Sequence, residues 1–257
     1  MWRTCAVASW HPVTRGESGA EVFRSADGLR YAKVVGPDQV DVLAAERDRI
    51  AWAHGRGLPT PAVLDWRATE HGARLVMTAV AGVPADQLSP DDFSRAWPSI
   101  ADSVRALHDI TGEECPFRRD LDTMLELARD VVSRDAVNPD FLPDDDKAVA
   151  AAALLERVEA EAEARRQQEQ HDRVVCHGDL CLPNLLVDGG RFSGFIDLGR
   201  LGVADPHADL ALLLANVGDT YGDLARVARD VLDAGYPPSI DDDRLTFYLR
   251  LDPLTWG

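Results

Sequence analysis

Two short segments past the middle of the chain restrict its fold most strongly. His177-Gly178-Asp179-Leu180-Cys181-Leu182-Pro183-Asn184 and Phe195-Ile196-Asp197-Leu198-Gly199-Arg200 flank a predicted hairpin, Leu185 to Val187 and Phe192 to Ile196, that turns at Asp188-Gly189-Gly190. The turn delivers Asn184 and Asp197 to the same end, with the Asp179 carboxylate five residues before Asn184. An amide oxygen and carboxylates suit a hard divalent cation better than zinc. His177 has no second histidine at zinc-like spacing, so it is expected to be structural.

The remainder must hold these segments. With 257 residues, 46% of them hydrophobic, the chain has room for one large core or two modest lobes and is not disordered. No apolar stretch approaches a membrane span and the N-terminus has no secretory core, so a soluble, cytoplasmic protein is expected. The formal net charge of −17 argues against nucleic-acid and membrane partners, which demand clustered positive charge, and suits a small cationic substrate. Cys5, Cys115, Cys176 and Cys181 form no CxxC pair and read as free thiols.

Residues 1–80 predict a small antiparallel sheet with one helix, and residues 81–257 a larger, mainly helical lobe. Glu21 to Arg24 and Leu29 to Val35 flank the turn Ala26-Asp27-Gly28. Alternation in the second strand places Tyr31, Lys33 and Val35 on one face. In the helix predicted over Gln39 to Ala53, Leu43, Glu46 and Ile50 share the inward stripe, which positions Glu46 to meet Lys33. Only Lys33 and Lys147 are lysines among 27 basic residues, so a lysine inside an apolar strand points to a need for a compact ammonium. A strand over Arg74 to Val80 ends at Ala81-Gly82-Val83-Pro84. Beyond it, helices are expected near Asp91 to Asp109, Arg119 to Ser133, Asp145 to Gln170 and Pro206 to Val217, with a strand at Val174 to Cys176. The charged run Glu156 to Asp172 reads as a solvated helix face.

Together these residues predict phosphoryl transfer from ATP. Asp179 accepts a hydrogen bond from the acceptor hydroxyl and takes its proton late, Asn184 and Asp197 hold Mg²⁺ against the phosphates, and Lys33, oriented by Glu46, contacts the α- and β-phosphates. Arg15-Gly16-Glu17-Ser18-Gly19 is the expected phosphate-covering loop, with the Ser18 hydroxyl as an added contact.

The whole chain resembles the aminoglycoside phosphotransferases. Through Val13–Gly19, Val131–Asp144 and Tyr248–Gly257 it resembles most the members acting on the 3″-hydroxyl of streptomycin. The resemblance implies an α+β, two-lobed protein-kinase-like fold with a small antiparallel-sheet lobe and a larger helical lobe. It implies ATP and Mg²⁺ as cofactors, a cationic aminoglycoside as substrate, a role in antibiotic resistance and a monomer. It further implies that main-chain groups of Thr78 and Val80, after Met77, receive the adenine edge, and that Arg200 neutralises phosphate or organises the acidic site. Asp140, Asp144, Asp219 and Asp252 are the implied drug-facing acids. Asp252 is followed by Pro253, where kanamycin-type relatives place another acid, so their substrate does not carry over. The rival readings are a kinase for another small amino alcohol, such as choline or homoserine, and a nucleotide-binding scaffold without turnover.

Overall fold

The computed structural model describes residues 10–13, 20–236 and 240–257. The expected Arg15–Gly19 loop, with Ser18, lies outside the described residues. The chain divides into two compact units: the residues up to Val83 with 186–189 and 193–199, and Pro84–Leu185 with 190–192 and Arg200–Gly257.

The first unit is an antiparallel sheet with a helix. Strands β1 (Trp10–Val13), β2 (Glu21–Ser25) and β3 (Arg30–Val35), helix α1 (Val40–Gly55), and strands β4 (Val63–Thr69) and β5 (Gly72–Thr78) follow in chain order. The sheet order is β1-β2-β3-β5-β4. Gly28, at φ +73°, makes the β2–β3 turn, and Asp27 Oδ1 accepts from the Leu29 N–H at 3.0 Å. Tyr31, Lys33 and Val35 lie opposite Met77, Leu75 and Ala73, so the face carrying Lys33 continues into buried apolar side chains of β5. Leu43, Glu46, Ile50 and Ala53 form the buried stripe of α1, as the spacing predicts.

The second unit is mainly helical. After β6 (Val83–Pro84), where the chain passes out of the first unit, come α2 (Pro90–His108), α3 (Leu121–Ser133), α4 (Ala151–Asp172) and β7 (Val174–Cys176); β8 (Leu185–Asp188) and β9 (Arg191–Phe195) follow, of which 186–188 and 193–195 belong to the first unit, and then β10 (Gly202–Ala204), α5 (Pro206–Tyr221), α6 (Ala225–Asp233) and α7 (Asp242–Leu251). Oxygen caps start the helices where the chain must turn inward: Ser89 accepts from Asp92 N, Asp120 from Thr123 N and Asp205 from His207 N. Phe93, Trp97, Ile100, Val104 and Leu107 form the buried stripe of α2. β7 pairs antiparallel with β10, and β6, β8 and β9 form a three-stranded sheet. The β8–β9 turn needs positive φ at both central residues, and Gly189 (+56°) and Gly190 (+77°) supply it.

Several expected boundaries move. The helix expected from Asp145 begins at Ala151, because Asp146 and Lys147 both donate their N–H to Pro143 O in turns, and the buried Asp146 carboxylate meets Arg157 and Arg250 instead. β5 stops at Thr78 rather than Val80. Strands β1, β4, β6 and β10 and helices α6 and α7 are additional, β6 falling on Val83–Pro84 where strand pairing is expected to stop. Among the described residues, no helix is long and apolar enough to cross a membrane.

Candidate active site

In the first unit, the alternation of β3 and the helical spacing of α1 bring Lys33 and Glu46 together. Lys33 Nζ donates to Glu46 Oε1 at 2.6 Å and to Asp197 Oδ1 at 3.0 Å. Burial alone would lower the Lys33 ammonium, but the two carboxylates outweigh it and raise the pKa above its ordinary value. Lys33 is therefore a fixed cation. Glu46, which is buried and shares that cation with Asp197, sits above the usual carboxylate value. Asp197 follows β9 with φ +61°, a left-handed conformation that aspartate tolerates better than most residues. Its side chain is 45% exposed while its neighbour Leu198 is buried, so the carboxylate is turned outward by a fixed backbone.

Met77 is buried in β5. Of the Thr78 main-chain groups implied to receive adenine, the N–H donates to Ala62 O at 2.9 Å, and the Thr78 hydroxyl accepts from Ala62 N at 2.8 Å. The reason is β4, the strand that the alternation did not reveal. Any main-chain recognition at this edge therefore falls to the Thr78 carbonyl and to Val80, which lies past the end of the strand.

In the second unit, the segment from His177 to Asn184 is tied down along its length. Asn184 Nδ2 donates to the Asp179 carbonyl at 2.9 Å and to Asp179 Oδ2 at 3.0 Å. With its N–H groups turned to Asp179, Asn184 leaves its amide oxygen Oδ1 as an acceptor, and in the first unit Asp197 presents a half-exposed carboxylate; oxygen donors of these two kinds suit a hard cation such as Mg²⁺. His177 is 0% exposed and its Nδ1 accepts from Asp179 N at 3.3 Å, which bears out its structural role.

One residue that the sequence reading missed holds this loop. Asp209, in the first turns of α5 and 0% exposed, accepts from His177 N at 2.6 Å through Oδ2 and from Gly178 N at 2.8 Å through Oδ1. Burial pushes its carboxyl up, but the hydrogen bond from His108 and the charges and donors around it prevail, and the pKa lies below the usual value. The available signal was an acid inside the apolar run Ala208-Asp209-Leu210-Ala211, since a buried charge must find partners. Gly178 has φ +82°, and a Cβ there would lie 2.2 Å from the Arg200 carbonyl oxygen, so only glycine allows this approach.

The implied drug-facing acids separate into two kinds. Asp140, Asp144 and Asp219 are exposed; Asp144 pairs with Lys147 at 2.7 Å, and that hydrogen bond holds its carboxyl low. Asp252 is only 6% exposed. Its Oδ1 accepts from Arg119 at 3.0 Å and Arg200 at 3.4 Å, and its Oδ2 from Trp256 Nε1 at 2.9 Å. Asp252, implied by the resemblance to face the drug, is the buried counter-ion of two guanidinium groups. Arg200 is correspondingly committed, with its guanidinium 3.4 Å from the Trp256 ring centroid. The structure thus brings Arg200 and Asp252 together in one network.

A lysine held by acids in an antiparallel sheet, and an Asp–Asn loop anchored in a helical unit, define a protein-kinase-like phosphotransferase. Residues 9–248 match the model of the phosphotransferase enzyme family, and the chain belongs to that family. It is 55% identical over 252 residues to the streptomycin 3″-kinase of Streptomyces griseus, covering 96% of this chain and 93% of that one. It is 37% identical over 262 residues to an aminoglycoside 3′-phosphotransferase of Streptomyces fradiae, covering 95% and 94%. Its structure superposes with a TM-score of 0.91 on aminoglycoside phosphotransferase APH(3″)-Id from Streptomyces rimosus in complex with ADP and streptomycin, at 50% identity and with 96% and 93% of the two chains covered.

Proposed function

We propose that the protein transfers the γ-phosphoryl group of ATP to the 3″-hydroxyl of streptomycin, thereby conferring resistance to the drug. The observation that carries this reading is the 55% identity to a streptomycin 3″-kinase across 96% of the chain. The geometry of both units supports it. Asp179 orients the acceptor hydroxyl and takes its proton as the bond to phosphorus forms, while the Asn184 amide keeps the Asp179 carboxylate from rotating. Asn184 and Asp197 hold Mg²⁺, which when bound offsets charge on the triphosphate. Lys33 aligns the α- and β-phosphates, kept in place by Glu46. Ser18 adds a phosphate contact, and the Thr78 carbonyl and Val80 receive the adenine edge beside Met77.

Streptomycin carries guanidinium groups, which carboxylates bind well. The exposed Asp140, Asp144 and Asp219 are the acids assigned to it, and the net charge of −17 draws the cation in. Asp252 acts from behind, fixing Arg200 and Trp256. The protein is assigned to the cytoplasm, where ATP is supplied, and is taken to act as a monomer.

Incubation with Mg²⁺ and ATP across a panel of aminoglycosides, with choline and homoserine included, tests this directly. Streptomycin is expected to be the preferred acceptor, with phosphate at the 3″-oxygen by NMR. Preference for choline or homoserine, or nucleotide binding without transfer, overturns it.

A further inference from the structure

Behind the loop that carries Asp179, three side chains from three elements form a continuous hydrogen-bonded line. Tyr236, just past α6, places its hydroxyl 2.9 Å from His108 Nδ1; His108, the last residue of α2, places Nε2 3.1 Å from Asp209 Oδ2. Asp209 in turn accepts the N–H groups of His177 and Gly178, the two residues before Asp179. His108 is buried, and Asp209 fully so.

The direction of the line follows from its chemistry. An ionised carboxylate only accepts, so the His108 proton is on Nε2 and Nδ1 is the acceptor. Burial and the nearby Asp209 charge push the Tyr236 hydroxyl above its ordinary value, so Tyr236 keeps its proton and donates it. Tyr236 thus selects the His108 tautomer, and His108 fixes the Asp209 carboxylate. Without His108, Asp209 retains two backbone donors that diverge to its two oxygens but loses the side-chain donor that sets its rotation. The Asp179 N–H rests on His177 Nδ1, so a shift of the His177 backbone passes to Asp179 itself.

We propose that His108, set by Tyr236, is a positioning residue for phosphoryl transfer. Through Asp209 it fixes the backbone from which the Asp179 carboxylate is aimed at the acceptor hydroxyl. This rests on the reading of Asp179 as the group that meets the hydroxyl. It predicts an effect on turnover rather than on nucleotide binding, because misplacing a reacting group costs rate at saturation.

The test compares His108→Leu, His108→Gln and Tyr236→Phe with the parent by steady-state kinetics on whichever panel acceptor the parent phosphorylates. A wrong substrate assignment then shows in the parent, and a wrong relay only in the variants. His108→Leu is expected to lower kcat by about 10- to 100-fold with the KM for ATP within about twofold. His108→Gln, whose amide N–H can replace Nε2–H, should recover kcat to within about threefold of the parent, and Tyr236→Phe should lower it by about threefold. Parental kcat in His108→Leu, a His108→Gln variant as slow as His108→Leu, or parental kcat in Tyr236→Phe overturns the proposal. The last two measurements stand even if His108→Leu does not fold, since His108→Gln must then be near-parental and Tyr236→Phe slow.

Discussion

Asn184 is tied to Asp179 twice, through the backbone carbonyl at 2.9 Å and through Oδ2 at 3.0 Å. One amide therefore holds the carboxylate with its nitrogen and, on the function proposed above, offers its oxygen to Mg²⁺. Asn184→Ala is expected to lower kcat by about 10²-fold and to raise the Mg²⁺ concentration for half-maximal rate. Magnesium titration of the folded variant checks this; a Mg²⁺ curve superposable on the parent's removes the metal role.

Lys33→Ala removes a cation that two carboxylates hold in place. Glu46 and Asp197 are then left facing each other across the gap, so ATP alignment should suffer while adenosine affinity stays within about twofold. Calorimetric titration with both ligands separates the two effects, and an equal loss for adenosine and ATP assigns Lys33 to the fold instead.

Asp252→Asn takes the charge from the counter-ion of Arg119 and Arg200. Breaking a buried pair from one side typically costs about 3–5 kcal/mol, and the partial exposure of Arg200, 21% of its side chain, places this case near the lower end. The expected outcome is a lowered thermal midpoint with the KM for ATP unchanged. An unchanged midpoint combined with a raised KM for streptomycin would return Asp252 to direct contact with the drug.

Glu169 gives the stability a pH dependence. Burial pushes its carboxyl up to about 7, helped by Asp120 and Asp205 and opposed by the Leu121 N–H, which donates to Oε1 at 2.9 Å. Its ordinary value is 4.5, so between 4.5 and about 7 the folded chain binds the proton more tightly than the unfolded chain. The contribution is present at the acid end and is lost as the pH rises through that window. Glu169→Gln should melt above the parent at pH values above 7, with the difference shrinking toward pH 5. A difference that does not change with pH contradicts the assignment.

The parts of this molecule legible in its sequence are those fixed by short-range periodicity. Lys33 and Glu46 meet because strand alternation and helical spacing each put one of them on an inward face, and the glycines at 28, 189 and 190 mark their turns. β4 escaped because a bulge between Val63 and Asp65 breaks its alternation, and with it went the fact that Ala62 occupies the Thr78 N–H. Asp209 and Asp252 were illegible for a different reason. The Asp209 partners lie 31, 32 and 101 residues away, and the two arginines on Asp252 lie 52 and 133 residues away, distances over which no local pattern reports; only Trp256, four residues on from Asp252, is near in the chain. A buried acid and a solvated one look alike until the fold supplies the donors.

The most direct measurement is phosphorus and proton NMR of streptomycin after incubation with ATP and Mg²⁺, run in parallel for the parent and Asp179→Ala. A phosphate monoester on the 3″-oxygen is expected, formed about 10²-fold or more slowly by folded Asp179→Ala that still binds ATP. Phosphate on another oxygen, no phosphorylated drug from the parent, or an equal rate from Asp179→Ala would contradict it.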